Sequence, residues 1–279
     1  MRLPNFLVIG AAKAGTTSLY HYLRQSPGVY MSPIKETNYF WHEGQVTGRF
    51  AIQTRAEYEQ LFASAVTEKA IGEASPQYLN SPTAPERIHR DLPGVRLIVS
   101  LRNPADRAYS GYLGWLRNGR GVLPLREALR PGTEFFEHSL YHPRLGRYFD
   151  RFPRHRIKVV LYDDFAARPA AIVRELLEFL DVEAGGAVDT RVVHNSTLVP
   201  RSAGLNRLVL GLLAARHLFL PALPAFARGW RMADRLHRLT LVRPLRLPED
   251  LRAELLARFR DDIVRTGDLV GRDLSGWLR

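Results

Sequence analysis

The stretch from Phe6 to Leu19, FLVIGAAKAGTTSL, constrains this chain more than any other. Its first residues are apolar and partly β-branched, which predicts a buried parallel strand. A loop of glycine and alanine follows, and three successive hydroxyl residues then open a helical pattern: Thr16, Thr17 and Ser18. A strand, a small-residue loop and a helix N-terminus form an anion site, because backbone N–H groups converge there and the helix dipole adds positive charge.

The lysine of this loop is displaced relative to a nucleoside-triphosphate loop. In G-x-x-x-x-G-K-[ST], lysine directly follows the second glycine and the next hydroxyl holds magnesium. Gly10 and Gly15 keep the glycine spacing, but Thr16 takes the lysine position and Lys13 lies inside the loop. This disfavours a magnesium-bound γ-phosphate and fits a 5′-phosphate that carries a smaller anionic group. The alternative is a glycine turn with a solvated lysine. The candidate anion ligands are Lys13, Ala14, Gly15, Thr16, Thr17 and Ser18.

A second strand-to-helix junction carries an arginine and a serine. The run Val95 to Leu101 predicts another buried strand, after which Asn103 can cap a helix that begins at Pro104. Arg102 then lies at the strand's C-terminal edge and Ser110 about two helical turns on, so both can reach one phosphate. Ligands of open parallel sheets bind at the C-terminal strand ends, which predicts that both junctions serve one ligand. The alternative is a turn with an exposed arginine.

These two segments resemble motifs of a known family. AAKAGTTSL is similar to the 5′-phosphosulfate loop of sulfotransferases that use 3′-phosphoadenosine 5′-phosphosulfate (PAPS), and Val99 to Tyr112, VSLRNPADRAYSGY, resembles their 3′-phosphate motif. Among the branches, the chain is most similar to bacterial relatives of the heparan sulfate sulfotransferases. The resemblance implies one α/β domain over 1–279, with a central, mostly parallel sheet flanked by helices in the P-loop-like sulfotransferase fold. It also implies PAPS as co-substrate, adenosine 3′,5′-bisphosphate as product, and no metal.

The resemblance assigns further roles. In KETNYF, Glu36 lies where the heparan branch carries its general base; without the resemblance, we would interpret this Lys-Glu pair as part of a surface loop. Arg201 and Ser202 are similar to a late basic loop that closes over the 3′-phosphate. Ala74 stands where the heparan branch usually has a lysine, so one cationic contact to the sulfonate is missing.

Four other polar residues are weaker candidates. His138 and His142 neighbour aromatic residues, and such histidines are more often packed or on the surface than catalytic. Asp163 and Asp164 follow a third apolar strand, IKVVLY. They resemble a metal-binding pair, but they fit better as the cap and first-turn acids of a helix predicted over Pro169 to Leu180.

Composition narrows the partners. The net charge of +12 favours polyanions or acidic surfaces in general. Nucleic acid is not predicted, because the basic residues are spread along the chain without a recognisable reading motif. The absence of cysteine excludes disulfides and cysteine-based zinc sites. No apolar leader precedes the first strand, which with the arginine-rich composition predicts a bacterial cytoplasmic enzyme.

The segment 205–246 mixes apolar and basic residues. Charges and prolines interrupt its longest apolar run, so a transmembrane span is not predicted. It fits a helical lid or insertion over the acceptor site, or a basic face in peripheral contact with the inner side of a membrane.

The predicted reaction is sulfonate transfer from PAPS to a hydroxyl or amine of an acceptor, with a carbohydrate or glycoconjugate favoured by the resemblance. Two other classes stay open. A P-loop kinase or NTPase would bind ATP with magnesium, and the position of Lys13 counts against it. A non-catalytic adaptor would bind polyanions or membranes through its basic surface and show no turnover.

Overall fold

A computed structural model describes residues 2–41, 52–119, 123–183, 185–192, 199–200, 202, 204, 241–242 and 246–279. The chain groups into two compact units. The first comprises Met1–Arg107, Leu140–Asn195 and Leu256–Arg279, and the second comprises Ala108–Ser139 and Ser196–Leu255. The assignment of all of 1–279 to a single domain stays a prediction.

The first unit contains a five-stranded sheet in which every neighbouring pair is parallel. Its strands are β1 (Phe6–Gly10), β2 (Val29–Met31), β3 (Ala70–Ala74), β4 (Arg96–Leu101) and β5 (Ile157–Leu161), in the order β2-β3-β1-β4-β5. All residues of β1 and β3 are buried, as expected for strands covered on both faces. The predicted α/β fold with a central parallel sheet is confirmed.

Ten helices are named along the described parts of the chain. They are α1 (Thr16–Leu23), α2 (Arg55–Gln60), α3 (Ala84–Asp91), α4 (Pro104–Arg117), α5 (Leu125–Ala128), α6 (Glu134–Glu137), α7 (His142–Phe149), α8 (Tyr162–Ala167), α9 (Pro169–Phe179) and α10 (Glu249–Val270). Short 3₁₀ turns cover Pro76–Asn80, Arg154–Arg156 and Ser275–Leu278.

Helix α1 is fixed by its apolar face. Leu19, Tyr22 and Leu23 are spaced three and four residues apart and are buried in a core that also contains Ile172 and Leu176 of α9. Burial of such side chains stabilises the fold by roughly 1.5–3 kcal/mol each. The packing holds the first turn of α1 beside the end of β1.

The chain near Trp277 closes over the ends of β4 and β5. The Trp277 indole donates to Asp163 across 2.9 Å, and the Asn103 side-chain amide donates to the Trp277 carbonyl across 3.0 Å. Asp163 and Asp164 are first-turn acids, as predicted, but of the short helix α8 that begins directly after β5. The helix predicted over Pro169 to Leu180 is a separate element, α9.

In the second unit, strands β6 (Val199–Pro200) and β7 (Leu241–Val242) pair antiparallel. Residues 205–240 and 243–245, which hold most of the predicted helical lid, lie outside the described residues. The part of that segment in β7 is a strand, because its backbone pairs with residues 199–200. No helix in the described ranges is long and apolar enough to cross a bilayer.

Candidate active site

Four successive carbonyl oxygens of the loop between β1 and α1 each accept a hydrogen bond. The donors are the Ala14 amide to Ala11 at 3.2 Å, Arg107 Nε to Ala12 at 3.2 Å, Arg102 Nη1 to Lys13 at 3.3 Å and Ser100 Oγ to Ala14 at 2.6 Å. Of these donors, Ser100 belongs to β4, Arg102 directly follows β4 and Arg107 lies in the first turn of α4. The end of β4 therefore fixes the loop conformation.

The loop presents backbone N–H groups on its other edge. A trans peptide unit directs its C=O and the following N–H to opposite sides, so the N–H groups of Lys13 and Gly15 point away from the β4 donors. Both residues have positive φ, 73° and 83°, as in an anion-binding nest. Helix α1 then begins at Thr16 with no side-chain cap and no acid in its first turn. Its first N–H groups lack intrahelical partners and suit an anion.

Arg102 lies against an aromatic ring as well as against the loop. Its guanidinium carbon is 4.7 Å from the centre of the Tyr162 ring, at the start of α8. The same ring limits the loop: a Cβ on Gly15 would lie 3.1 Å from Tyr162 Cδ2 and 3.2 Å from Phe165 Cδ1. Glycine is required here for its conformation and for this close approach.

Tyr141 supports the backbone of Arg102. Its hydroxyl donates to the Arg102 carbonyl across 2.8 Å, and burial raises the pKa of Tyr141 to about 12, so the phenol keeps its proton at neutral pH. Asp262 of α10 in turn accepts hydrogen bonds from the amides of Tyr141, at 2.8 Å, and His142, at 3.0 Å. Helix α10 thus supports the arginine through Tyr141.

The Lys35-Glu36 pair lies one strand away from the loop. The Glu36 amide donates to the Ala74 carbonyl across 2.9 Å, and Ala74 pairs in register with Val8 of β1. Lys35 Nζ forms an ion pair with Glu36 Oε1. The Glu36 side chain is 49% exposed, which leaves its carboxylate accessible to a substrate.

The described site therefore consists of the loop after β1 with Lys13, two arginines that follow the neighbouring strand β4, and the Glu36 carboxylate beside β3 on the other side of β1. A family model described as "Sulfotransferase family" matches residues 4–185. The chain belongs to this family. The family predicted from the loop and the Val99 to Tyr112 motif is thereby confirmed.

Further comparisons agree with the assignment of the chain to this family. The crystal structure of a sulfotransferase from Alicyclobacillus acidocaldarius matches with a TM-score of 0.76 and 30% identity, and covers 100% of both chains. The membrane-associated sulfotransferase kil1 of Dictyostelium discoideum is 34% identical over 143 residues, covering 50% of this chain and 28% of that protein. Human heparan sulfate glucosamine 3-O-sulfotransferase 6 is 28% identical over 190 residues, covering 65% and 53%. The chain spans about a quarter to a half of these two curated relatives.

The remaining predicted site residues lie in different parts of the chain. Thr16 and Ser18 are buried and Thr17 is half-buried, all in the first turn of α1. Ser110 is buried on α4, within the second unit. Ser202 is exposed in the second unit, and Arg201 lies outside the described residues.

The histidine candidate His138 directly follows α6, and its Nδ1 atom lies 3.7 Å from Oε1 of Glu134, the first residue of that helix. Within the described ranges, His, Asp and Glu side chains form no cluster suited to a metal ion.

Several residues that shape the site were not predicted from the sequence. Arg107 is buried although it is charged, and Ser100 is a buried polar residue within the mostly apolar strand β4. Glu73, in β3, is fully buried as well. The available signal was a polar residue in or beside an apolar run, since such a residue must find a partner when it is buried.

Proposed function

We propose that this sulfotransferase transfers a sulfonate group from PAPS to a hydroxyl or amine of an acceptor. The observation that carries the proposal is the hydrogen bond from Arg102 Nη1 to the carbonyl of Lys13. It brings a cationic side chain at the end of β4 to the anion loop after β1. A nucleotide with phosphates at both its 5′ and 3′ positions requires two neighbouring anion sites of this kind.

The loop is proposed to hold the 5′ end of the donor. The amides of Lys13 and Gly15, on either side of Ala14, and the first turn of α1, with Thr16, Thr17 and Ser18, would bind phosphate and sulfonate oxygens. Lys13 would stabilise the negative charge that grows on the leaving phosphate as the bond to sulfur breaks. The fixed carbonyls support this role, because a preformed loop need not reorganise during the reaction.

We propose that Arg102 and Ser110 bind the 3′-phosphate, together with Arg201 and Ser202. The guanidinium fork suits a phosphate, and its stacking on Tyr162 restrains the side chain before the nucleotide binds. These contacts would select PAPS over nucleotides without a 3′-phosphate.

Glu36 is proposed as the general base. The acceptor oxygen or nitrogen attacks sulfur and forms the new bond, the bond from sulfur to the 5′-phosphate oxygen breaks, and the acceptor proton passes to the Glu36 carboxylate. The products are the sulfated acceptor and adenosine 3′,5′-bisphosphate. The exposure of Glu36, one strand from the loop, supports access from the acceptor side.

We propose a carbohydrate or glycoconjugate acceptor. Heparan sulfate glucosamine 3-O-sulfotransferase 6 is named for a saccharide substrate, and the net charge of +12 favours anionic acceptors such as acidic saccharides. We further propose a cytoplasmic location, and a lid over the acceptor site as the role of 205–246, with peripheral membrane contact as the alternative role of that segment.

Calorimetry separates this proposal from the kinase and adaptor alternatives. We expect adenosine 3′,5′-bisphosphate to bind without metal and more tightly than ATP with magnesium. Tighter binding of ATP with magnesium would support a kinase, and binding of neither nucleotide would support an adaptor. Labelled PAPS with pools of acidic and neutral saccharides should then yield a sulfated product. No transfer to any acceptor, by protein that binds the bisphosphate, would refute the catalytic role.

A further inference from the structure

Glu73 is a carboxylate in the interior of the fold. It lies in β3 with 0% of its surface exposed. Its partners are three hydroxyl groups: Tyr78 and Tyr58 donate to Oε1 across 2.6 Å and 3.3 Å, and Ser75 donates to Oε2 across 2.7 Å. Burial of a carboxylate among neutral groups destabilises the fold, so an apolar residue would give a more stable core at this position if packing were its only role.

Burial raises the pKa of Glu73, and the hydrogen bonds from the surrounding hydroxyl groups oppose this rise. In its ionised form, Glu73 fixes the direction of these hydrogen bonds. A carboxylate only accepts, and each hydroxyl has one proton, so Ser75 and Tyr78 direct their protons to Glu73. Burial raises the pKa of Tyr78 well above its ordinary value, and the Glu73 charge adds to the effect, so the phenol stays protonated. The oxygen lone pairs of both hydroxyls then face other donors.

Those donors belong to the segment that directly follows Glu36. Ser75 Oγ accepts from the Asn38 amide at 3.0 Å, and Tyr78 Oη accepts from the Phe40 amide at 3.4 Å. The Thr37 hydroxyl lies 3.1 Å from Tyr78 Oη and 3.4 Å from Ser75 Oγ. Through two hydroxyls, one buried carboxylate therefore holds residues 37–40.

The segment requires such support. Glu36 and Asn38 have φ of 64° and 53°, in the left-handed region. This conformation is unfavourable for a non-glycine residue and persists where the surroundings determine it. Ser75 also links the segment to the nucleotide side, because its amide donates to the Val8 carbonyl of β1 across 3.1 Å.

We propose that Glu73 is a positioning residue for the transfer reaction: it orients the hydroxyls of Ser75 and Tyr78 so that they hold the backbone around Glu36 and aim its carboxylate at the acceptor. The inference rests on the proposed role of Glu36 as general base. Glu73 itself does not touch the substrate.

The first test is Glu73→Gln, which keeps the shape of the side chain. Its amide nitrogen donates where an oxygen accepted, so a hydroxyl that faces this nitrogen must turn its proton toward residues 37–40 and no longer presents both of its lone pairs to that segment. We expect kcat to fall about 10- to 100-fold through misplacement of the base. The affinity for adenosine 3′,5′-bisphosphate should stay within about twofold, because the loop contacts are untouched. Glu59→Gln on α2 is the matched control and should keep normal turnover.

The variant Glu36→Gln provides the background in which the positioning role of Glu73 can be tested. If Glu73 acts by positioning Glu36, then Glu73→Gln should lower turnover no further once Glu36 is already Gln. An equal loss in both backgrounds would show a merely structural role and overturn this inference alone. Unchanged turnover in the single variant Glu73→Gln would also overturn it. Normal turnover in Glu36→Gln would overturn the base assignment, and this inference with it.

Ser75→Ala repeats the test if Glu73→Gln does not fold. It removes the acceptor of the Asn38 amide and leaves Tyr78 in place. The inference again requires a loss of turnover that disappears in the Glu36→Gln background. A loss of the same size in both backgrounds, or no loss at all, would contradict it.

Discussion

The guanidinium of Arg102 stacks over the ring of Tyr162, 4.7 Å from its centre, and donates to the carbonyl of Lys13 from the same position. The residue that follows β4 and the residue that follows β5 thus form one surface beside the loop after β1. A side chain held on two sides loses little freedom when a phosphate binds, so Arg102 is preorganised for an anion.

Replacement of Arg102 tests its proposed role at the 3′-phosphate. In Arg102→Ala, the affinity for adenosine 3′,5′-bisphosphate should fall by about 10- to 100-fold, the value of one or two hydrogen bonds to a charged group. Affinity for adenosine 5′-monophosphate should change much less, which calorimetry with both nucleotides can show. Arg90→Ala, at an exposed arginine on α3, is the control. Equal losses for both nucleotides would refute the assignment.

Lys13→Ala should abolish transfer. The lysine is proposed to stabilise charge on the leaving phosphate, a contribution of about 10²- to 10³-fold in comparable oxyanion sites. Single-turnover measurements with labelled PAPS should show the loss in the chemical step. Turnover within about tenfold of wild type would exclude this role of Lys13.

Glu36→Gln should also reduce transfer to a small residual rate while leaving nucleotide affinity nearly intact. Loss of a general base costs about 10²- to 10⁴-fold in rate. Calorimetry with adenosine 3′,5′-bisphosphate should give an affinity close to that of wild type, since Glu36 lies on the acceptor side. If binding and turnover fell together, Glu36 would be part of the nucleotide site instead.

Gly15→Ala has an unusually well matched control. Gly15 and Gly132 both have φ of 83°, but a Cβ at Gly15 would press on Tyr162 and Phe165, whereas nothing lies within 4 Å at Gly132. Each substitution should cost about 1–2 kcal/mol of backbone strain. Only Gly15→Ala should in addition weaken nucleotide binding, as measured by denaturant unfolding and calorimetry. Equal effects of the two variants on binding would contradict the close fit at Tyr162.

We predict that the difference in stability between the wild type and Asp262→Asn depends on pH. Burial raises the pKa of Asp262 above its ordinary 3.8, an effect that its two backbone donors and the nearby His142 and Arg144 partly offset. Because the folded state binds this proton more tightly, the titration contributes stability at pH below 3.8, and that contribution is lost as the pH rises through the folded pKa.

Urea unfolding of both proteins between about pH 4 and pH 7 measures this difference. The free energy of unfolding of the wild type, relative to Asp262→Asn, should decrease as the pH rises across this range. The asparagine introduced by the substitution does not titrate, so a difference that stays constant or grows would contradict the raised pKa.

The parts of the site that lie close together in sequence were predictable. The apolar run before the glycine loop, the run before Arg102 and the cap at Asn103 are local signals, and Asn103 Oδ1 does accept from the Ala105 amide at 3.0 Å. Local patterns also failed in one place. The backbone leaves the helical region at Arg168, where Pro169 disfavours a continuous helix, so the acids after β5 begin α8 instead of α9.

The support of the site was not predictable, because it depends on contacts between distant residues. Glu73 of β3 accepts a hydrogen bond from Tyr58 of α2, and the Ser75 and Tyr78 hydroxyls that it orients accept from the backbone that follows Glu36. The indole of Trp277 reaches Asp163, which is 114 positions earlier in the chain. Periodicity and spacing report which residues are buried, but they do not report which residues meet across the sheet.

The strand order has a consequence for biosynthesis. Strand β1 is translated first but occupies the centre of the sheet, and its neighbours β3 and β4 are supplied by residues 70–74 and 96–101. In a nascent polypeptide, β1 therefore has no sheet partner until residues 70–74 have left the ribosomal exit tunnel, and it lacks its second partner until Leu101 has left the tunnel. The loop after β1 cannot take its final shape before then, because Ser100 and Arg102, which fix it, have not yet left the tunnel.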